Sequence, residues 1–146
     1  MNAADASLYA GPILVSVAYF LLWYFLLLGL QRGTKYPLKR EYAAEGKEFD
    51  RYFGQDPQML AADRAVLNTQ EQMVPFLAAL WLHAVFVSIV HATWLGAAYV
   101  LLRAFYPALL GKLQSRRVAW VTFPCYLIVF YMLGSTAWAA LSRAVS

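Results

Sequence analysis

Charge is scarce in this sequence. Only 14% of its 146 residues are Asp, Glu, Lys or Arg, against about 25% in soluble domains, too few to clothe a water-facing surface. A single cysteine excludes an internal disulfide framework and a multi-cysteine metal cluster within one chain. No Gly-rich phosphate loop and no Ser, His and Asp arrangement of a hydrolase is found. Internal repeats and low-complexity tracts are also missing. What fills the chain instead is apolar: 62% hydrophobic residues, with five Trp, ten Tyr and nine Phe, and a mean hydropathy of +0.51. A soluble body this small could not hide them. The net charge of +4 points away from nucleic acid, because the basic residues cluster at the ends of apolar runs, as membrane topology requires. The composition describes a small, all-α integral membrane protein.

A bilayer core of about 30 Å needs about 20 apolar residues in a helix. No Asp, Glu, Lys or Arg occurs between Ala6 and Gln31, which gives a first span over 8–30. A cleaved signal peptide fits poorly: Asp5 replaces the usual positive charge, the run is too long, and no small-residue cleavage site follows. The next uncharged run, Gln72–Leu102, extends outward into two spans, 65–90 and 94–110, with His91-Ala92-Thr93 as a polar hairpin. A last run gives 118–142. The expectation is one domain over 1–146, a four-helix transmembrane bundle. Asp56-Pro57 reads as a helix start, Asp capping the free amides and Pro occupying the first turn. The second helix therefore extends from about 57 out of the membrane.

Lys and Arg set the orientation. Segment 31–63 holds Arg32, Lys35, Lys39, Arg40, Lys47 and Arg51, and segment 111–117 holds Lys112, Arg116 and Arg117. The opposite side has only Arg143. Both basic segments are expected as cytoplasmic loops, with both termini on the other side; in a bacterium the membrane would be the inner one.

Polar residues enter the membrane at DRAVLNTQEQMVPF, residues 63–76. Arg64, Asn68 and Glu71 are spaced i, i+4, i+7 and fall within about 60° on a helix. Ionisable groups at such depth face a bundle interior or a wet cavity; the plainer alternative is interfacial salt bridging. Arg103 and Tyr106 end the third span, and Arg116 and Arg117 precede the fourth. Each alone is explained by the positive-inside rule. Taken together on one membrane side, these residues combine several cations with one carboxylate. That set is compatible with a zwitterionic thiol peptide such as glutathione: guanidinium groups bind carboxylates, Glu71 would take the ammonium, and a nearby cation favours thiolate over thiol. His83 and His91, eight apart with no third ligand at metal spacing, read as packing and hairpin polarity, so no metal site is expected. Cys125 has no basic neighbour in sequence and reads as a small buried residue.

At Arg64-x-x-x-Asn68-x-x-Glu71, followed by Pro75-Phe76, Arg103-x-x-Tyr106 and Arg117, the chain resembles the MAPEG family, the membrane-associated proteins of eicosanoid and glutathione metabolism. The resemblance covers the whole chain. It implies a homotrimer binding glutathione as co-substrate between subunits near the cytoplasmic side. Arg64, Asn68 and Glu71 would hold the peptide's polar groups, and Arg103 and Tyr106 would help enclose it. Arg32 matches loosely a basic position that contacts the ligand. Arg117 stands where the leukotriene-forming member has its thiol-activating arginine, and is the expected catalytic residue. The implied activity is a transferase or peroxidase acting on lipophilic electrophiles or lipid hydroperoxides. Two positions depart from the pattern: Leu110 replaces a second Tyr, and Gln72 a Tyr after the motif Glu. One branch of the family binds lipid without catalysis, which leaves a scaffold as the alternative.

Overall fold

A computed structural model describes residues 7–110 and 118–145. Among the described residues the secondary structure is helical, with no strand. Helix α1 spans Ala10–Tyr24, a π-helical stretch follows over Phe25–Gln31, and α2 runs over Arg32–Ala44. Helix α3 covers Pro57–Phe86, α4 Ile89–Leu110 and α5 Ala119–Val145.

The first departure from the sequence reading lies at residues 31–63, expected as a loop. The helix continues through Arg32 to Ala44 instead, with Pro37 in its interior, and it stops only at Gly46. Gly46 adopts φ +68°, and the amides of Gly46 and Lys47 return to the carbonyls of Ala43 and Tyr42. This is a Schellman cap, for which a residue without Cβ is suited. The π stretch also matters to the packing. A regular α-helix would set Leu26 and Leu38 about 120° apart; the wider π turns shift that phase, and both side chains are buried.

The second departure is the hairpin. It lies at Val87-Ser88, not at 91–93. Ser88 Oγ accepts the His91 amide, a capping arrangement that starts α4 early. His91 and Thr93 are inside the helix, and the Thr93 hydroxyl donates to the Ile89 carbonyl at 2.8 Å, so its polarity is met without a turn.

Among the described residues three helical stretches are long and apolar enough to cross a membrane: Ala10–Ala44, Ile89–Leu110 and Ala119–Val145. Helix α3 is longer than α4, but Asp63, Arg64, Gln70, Glu71 and Gln72 interrupt it up to its midpoint, and its apolar run begins only at Met73. Asp56 caps it, accepting the amides of Gln58 and Met59, with Pro57 in the first turn.

Helices α3 and α4 form the central pair, with α1 and α5 each packed against both. Aromatic rings fasten three of them. Phe76 of α3 stacks on Tyr99 of α4 at 3.9 Å between centroids, and Tyr19 of α1 tilts against both at 5.0 and 6.1 Å. The Tyr19 hydroxyl donates to the Thr69 carbonyl at 2.6 Å. On the other side, Ser135 Oγ of α5 lies 3.0 Å from His83 Nδ1 of α3. Small buried residues (Ala65, Ala79, Ala92, Gly96) let the backbones approach, the usual device where lipid supplies no hydrophobic drive between helices. The outer surface carries Leu21, Phe25, Leu101, Phe123, Phe130 and Trp138, all exposed.

Gly96 is a close approach where α1, α3 and α4 meet. A Cβ there would come within 2.7 Å of Leu80 Cδ1 and 2.8 Å of Val15 Cγ1. Gly96→Val should therefore destabilise the protein by about 1–3 kcal/mol, read as a lower Tm in detergent. Gly33→Ala, on a helical surface with nothing within 4 Å, should be neutral or stabilising by up to about 1 kcal/mol.

Candidate functional site

Among the described residues one charged side chain is buried in the apolar bundle, where α3 and α4 face each other. The Arg103 side chain is almost fully buried, at 1% exposure. Its Nη2 donates to Asn68 Oδ1 at 2.6 Å, and its guanidinium lies 4.7 Å from the Tyr106 ring centroid. Its Nε has no hydrogen-bond partner, and among the described residues Arg103 has no carboxylate in salt-bridge contact. Unpaired buried charges are costly. A guanidinium has five N–H donors in a planar fork; among the described residues Asn68 takes one, the Tyr19 hydroxyl is also within hydrogen-bonding reach, and Nε is left over.

Arg64 and Glu71 lie on the exposed flank of α3, close enough to Tyr106 to act on it electrostatically. Arg64, Asn68, Glu71, Arg103 and Tyr106 thus share one neighbourhood, built from the facing stripes of two helices. Arg32 stands apart, on a cleft with Gln31, Lys35, Tyr36, Arg51 and Tyr52. Arg117 and its neighbour Arg116 lie outside the described residues.

The chain matches the model of the MAPEG family over residues 9–142, nearly its whole length. It belongs to the MAPEG family. No curated protein sequence matches it.

The fold of this MAPEG protein adds residues to the cluster that the motif left out. Tyr19 and Tyr99 are fully buried and lie within electrostatic reach of Arg103. One signal for Tyr99 was present: Tyr99, Arg103 and Tyr106 repeat on α4 the i, i+4, i+7 spacing that Arg64, Asn68 and Glu71 have on α3. Tyr19 comes from a distant helix and had none. Cys125 is the small buried residue the sequence reading expected. Although no basic residue is near it in sequence, α4 brings Arg103 within electrostatic reach. Among the described residues no group of three or more His, Cys, Asp and Glu side chains converges.

The Asn68–Arg103 bond gives a test in two variants. Asn68→Leu removes the hydrogen-bonded partner of a buried cation and should lower stability by about 1.5–3 kcal/mol. Asn68→Asp supplies Arg103 with a carboxylate and should preserve Tm. Thermal unfolding in detergent compares the two; equal losses would mean that the site needs the amide shape and not an acceptor.

Proposed function

We propose that this MAPEG protein is a membrane-bound glutathione-dependent transferase or peroxidase acting on lipophilic electrophiles or lipid hydroperoxides. The observation that carries the reading is Arg103, a buried guanidinium with an unpartnered Nε and, among the described residues, no carboxylate in ion-pair contact. Such a group fits an anionic ligand. Glutathione has two carboxylates for Arg103 and Arg64, an ammonium for Glu71, and a thiol.

The reading includes a four-helix bundle in which α3 also crosses the membrane, assembled as a homotrimer. Support comes from α3 itself. Arg64, Leu67, Glu71, Val74, Ala78, Leu82 and Val85 recur at three- and four-residue spacings and are all exposed in the single chain. That is the pattern of a helix–helix seam. Facing lipid, its two charged members would be poorly placed; facing other copies, they line a pocket between subunits. Chemical crosslinking in mild detergent should give a ladder ending at trimer, and monomer alone would refute the assembly.

In this reading the basic segments 31–63 and 111–117 face the cytoplasm. Arg117 stabilises the thiolate, whose sulfur attacks an electrophilic carbon of a substrate arriving from the bilayer. A C–S bond forms, and the leaving group departs with its electron pair. With a lipid hydroperoxide the sulfur attacks the peroxide oxygen, the alcohol leaves, and a second glutathione reduces the sulfenic acid to disulfide and water. Leu110 and Gln72, which replace two tyrosines of the motif, favour the other reading, a non-enzymatic lipid-binding scaffold.

Calorimetry with millimolar glutathione decides between them; absence of binding supports the scaffold. Arg64→Ala should raise KM with kcat little changed, the mark of lost uniform binding. Arg117→Ala should lower kcat and move the pH–rate profile upward. The sign follows from the charge: a cation beside the sulfur depresses the thiol pKa, and its removal lets that pKa rise towards its reference of about 8.5. A profile superimposable on wild type would remove Arg117 from the chemistry.

A further inference from the structure

A second polar feature lies where the first helical stretch leaves its apolar run, and Asp63 fixes its height. Gln31, at the end of that run, donates to Asp63 Oδ1 at 2.7 Å. Arg51, on the segment after α2, gives two N–H bonds to the same carboxylate, at 2.8 and 2.9 Å. Helix α2 carries the chain about 20 Å outward at 1.5 Å per residue, and the Arg51 clamp brings it back level with Gln31. The turn at that point is built rigidly. Asp50 Oδ1 accepts the amides of both Tyr52 and Phe53 at 2.9 Å, and these bonds hold its carboxyl below the usual carboxylate range. The turn therefore persists at neutral pH and loosens only as acid protonates Asp50. It presents two aromatic side chains outward, Tyr52 at 87% and Phe53 at 85% exposure.

Between this turn and the helix is a cleft of about 330 Å³ lined by Gln31, Arg32, Lys35, Tyr36, Arg51 and Tyr52. Asp63 neutralises Arg51. Arg32 and Lys35 lie 5.9 and 5.6 Å from the centroid of the Tyr36 ring, and among the described residues neither forms an ion pair. Two uncompensated cations thus stand at the level where apolar helix ends, beside aromatics of the kind enriched at the membrane–water interface. Leu28 and Phe25, exposed on the same helical stretch towards the membrane, continue the surface with apolar side chains.

We propose that this cleft binds the phosphate group of an anionic membrane lipid. Arg32 and Lys35 meet the phosphate, Tyr52 and Phe53 sit among the headgroups, and the acyl chains run down along Leu28 and Phe25. A free phosphate ion would satisfy the cations but leave both aromatics in water, which is why the lipid is the favoured source.

The test uses the full chain in phosphatidylcholine bilayers with spin-labelled phosphatidylglycerol or spin-labelled phosphatidylcholine, reading the motionally restricted fraction of each. Wild type should prefer phosphatidylglycerol by at least about fivefold, the effect of one surface cation. Lys35→Gln should remove most of that preference. Lys39→Gln, exposed on the same helix but outside the cleft, should keep it. Equal restriction of both lipids by wild type would overturn the proposal. Equal losses in the two variants would also overturn it, in favour of a general surface field. Displacement of the label by millimolar inorganic phosphate would make this a soluble-phosphate site, and displacement by glutathione would make it an arm of the peptide pocket through Arg32; either result overturns it. The readout needs no catalysis, so its failure is distinct from failure of the glutathione reading.

Discussion

A guanidinium placed inside an apolar bundle constrains everything around it. Arg103 is on α4, and the groups that receive it belong to more than one helix: Asn68 on α3, Tyr106 one turn along α4, and Tyr19 on α1 close by. Because the Asn68 bond crosses the central helix pair, it fixes the register of α3 against α4. The Phe76–Tyr99 stack crosses the same pair and fixes the same register. Sliding either helix by a turn, about 5.4 Å, would break both at once. Two unlike interactions that demand one arrangement are the kind of agreement that gives a single native packing.

The periodic parts of this architecture were legible in the sequence. Arg64, Asn68 and Glu71 share a helix face because their spacing makes them do so, and the facing stripe on α4 has the same spacing. Asp56-Pro57 carried its own chemistry for starting α3. Two local features were less legible. His91 and Thr93 looked like a break because they are polar, yet a threonine hydroxyl can bond back to its own helix, and the real turn belongs to the less conspicuous Ser88. Segment 31–63 looked like loop because it mixes both charge signs with Gly33, Gly46, Gly54 and Pro37. Charge opposes burial in lipid but not helix formation, so α2 forms in spite of it and stops at Gly46. Contacts between distant segments were not legible at all: nothing in sequence puts Tyr19 beside Thr69, or Arg103 near Cys125.

The two carboxylates at the polar end of α3 are treated differently, and the contrast is informative. Asp63 is held by Arg51 and Gln31, so its charge serves the architecture. Glu71, eight residues further along, forms no ion pair among the described residues, and Arg103 nearby has none either. An in-chain bridge between two such groups is the simplest way to relieve both charges. Here it is not made, because Glu71 lies on the exposed flank of α3 while Arg103 is buried behind Asn68. The result is a cation and an anion on facing helices that form no ion pair among the described residues. A zwitterionic ligand suits that arrangement better than a simple anion or cation, because its opposite charges can address both groups at once. A second copy packed on the α3 seam would enclose it from the open side. The proposed trimer and the proposed glutathione site therefore rest on the same pair of charges.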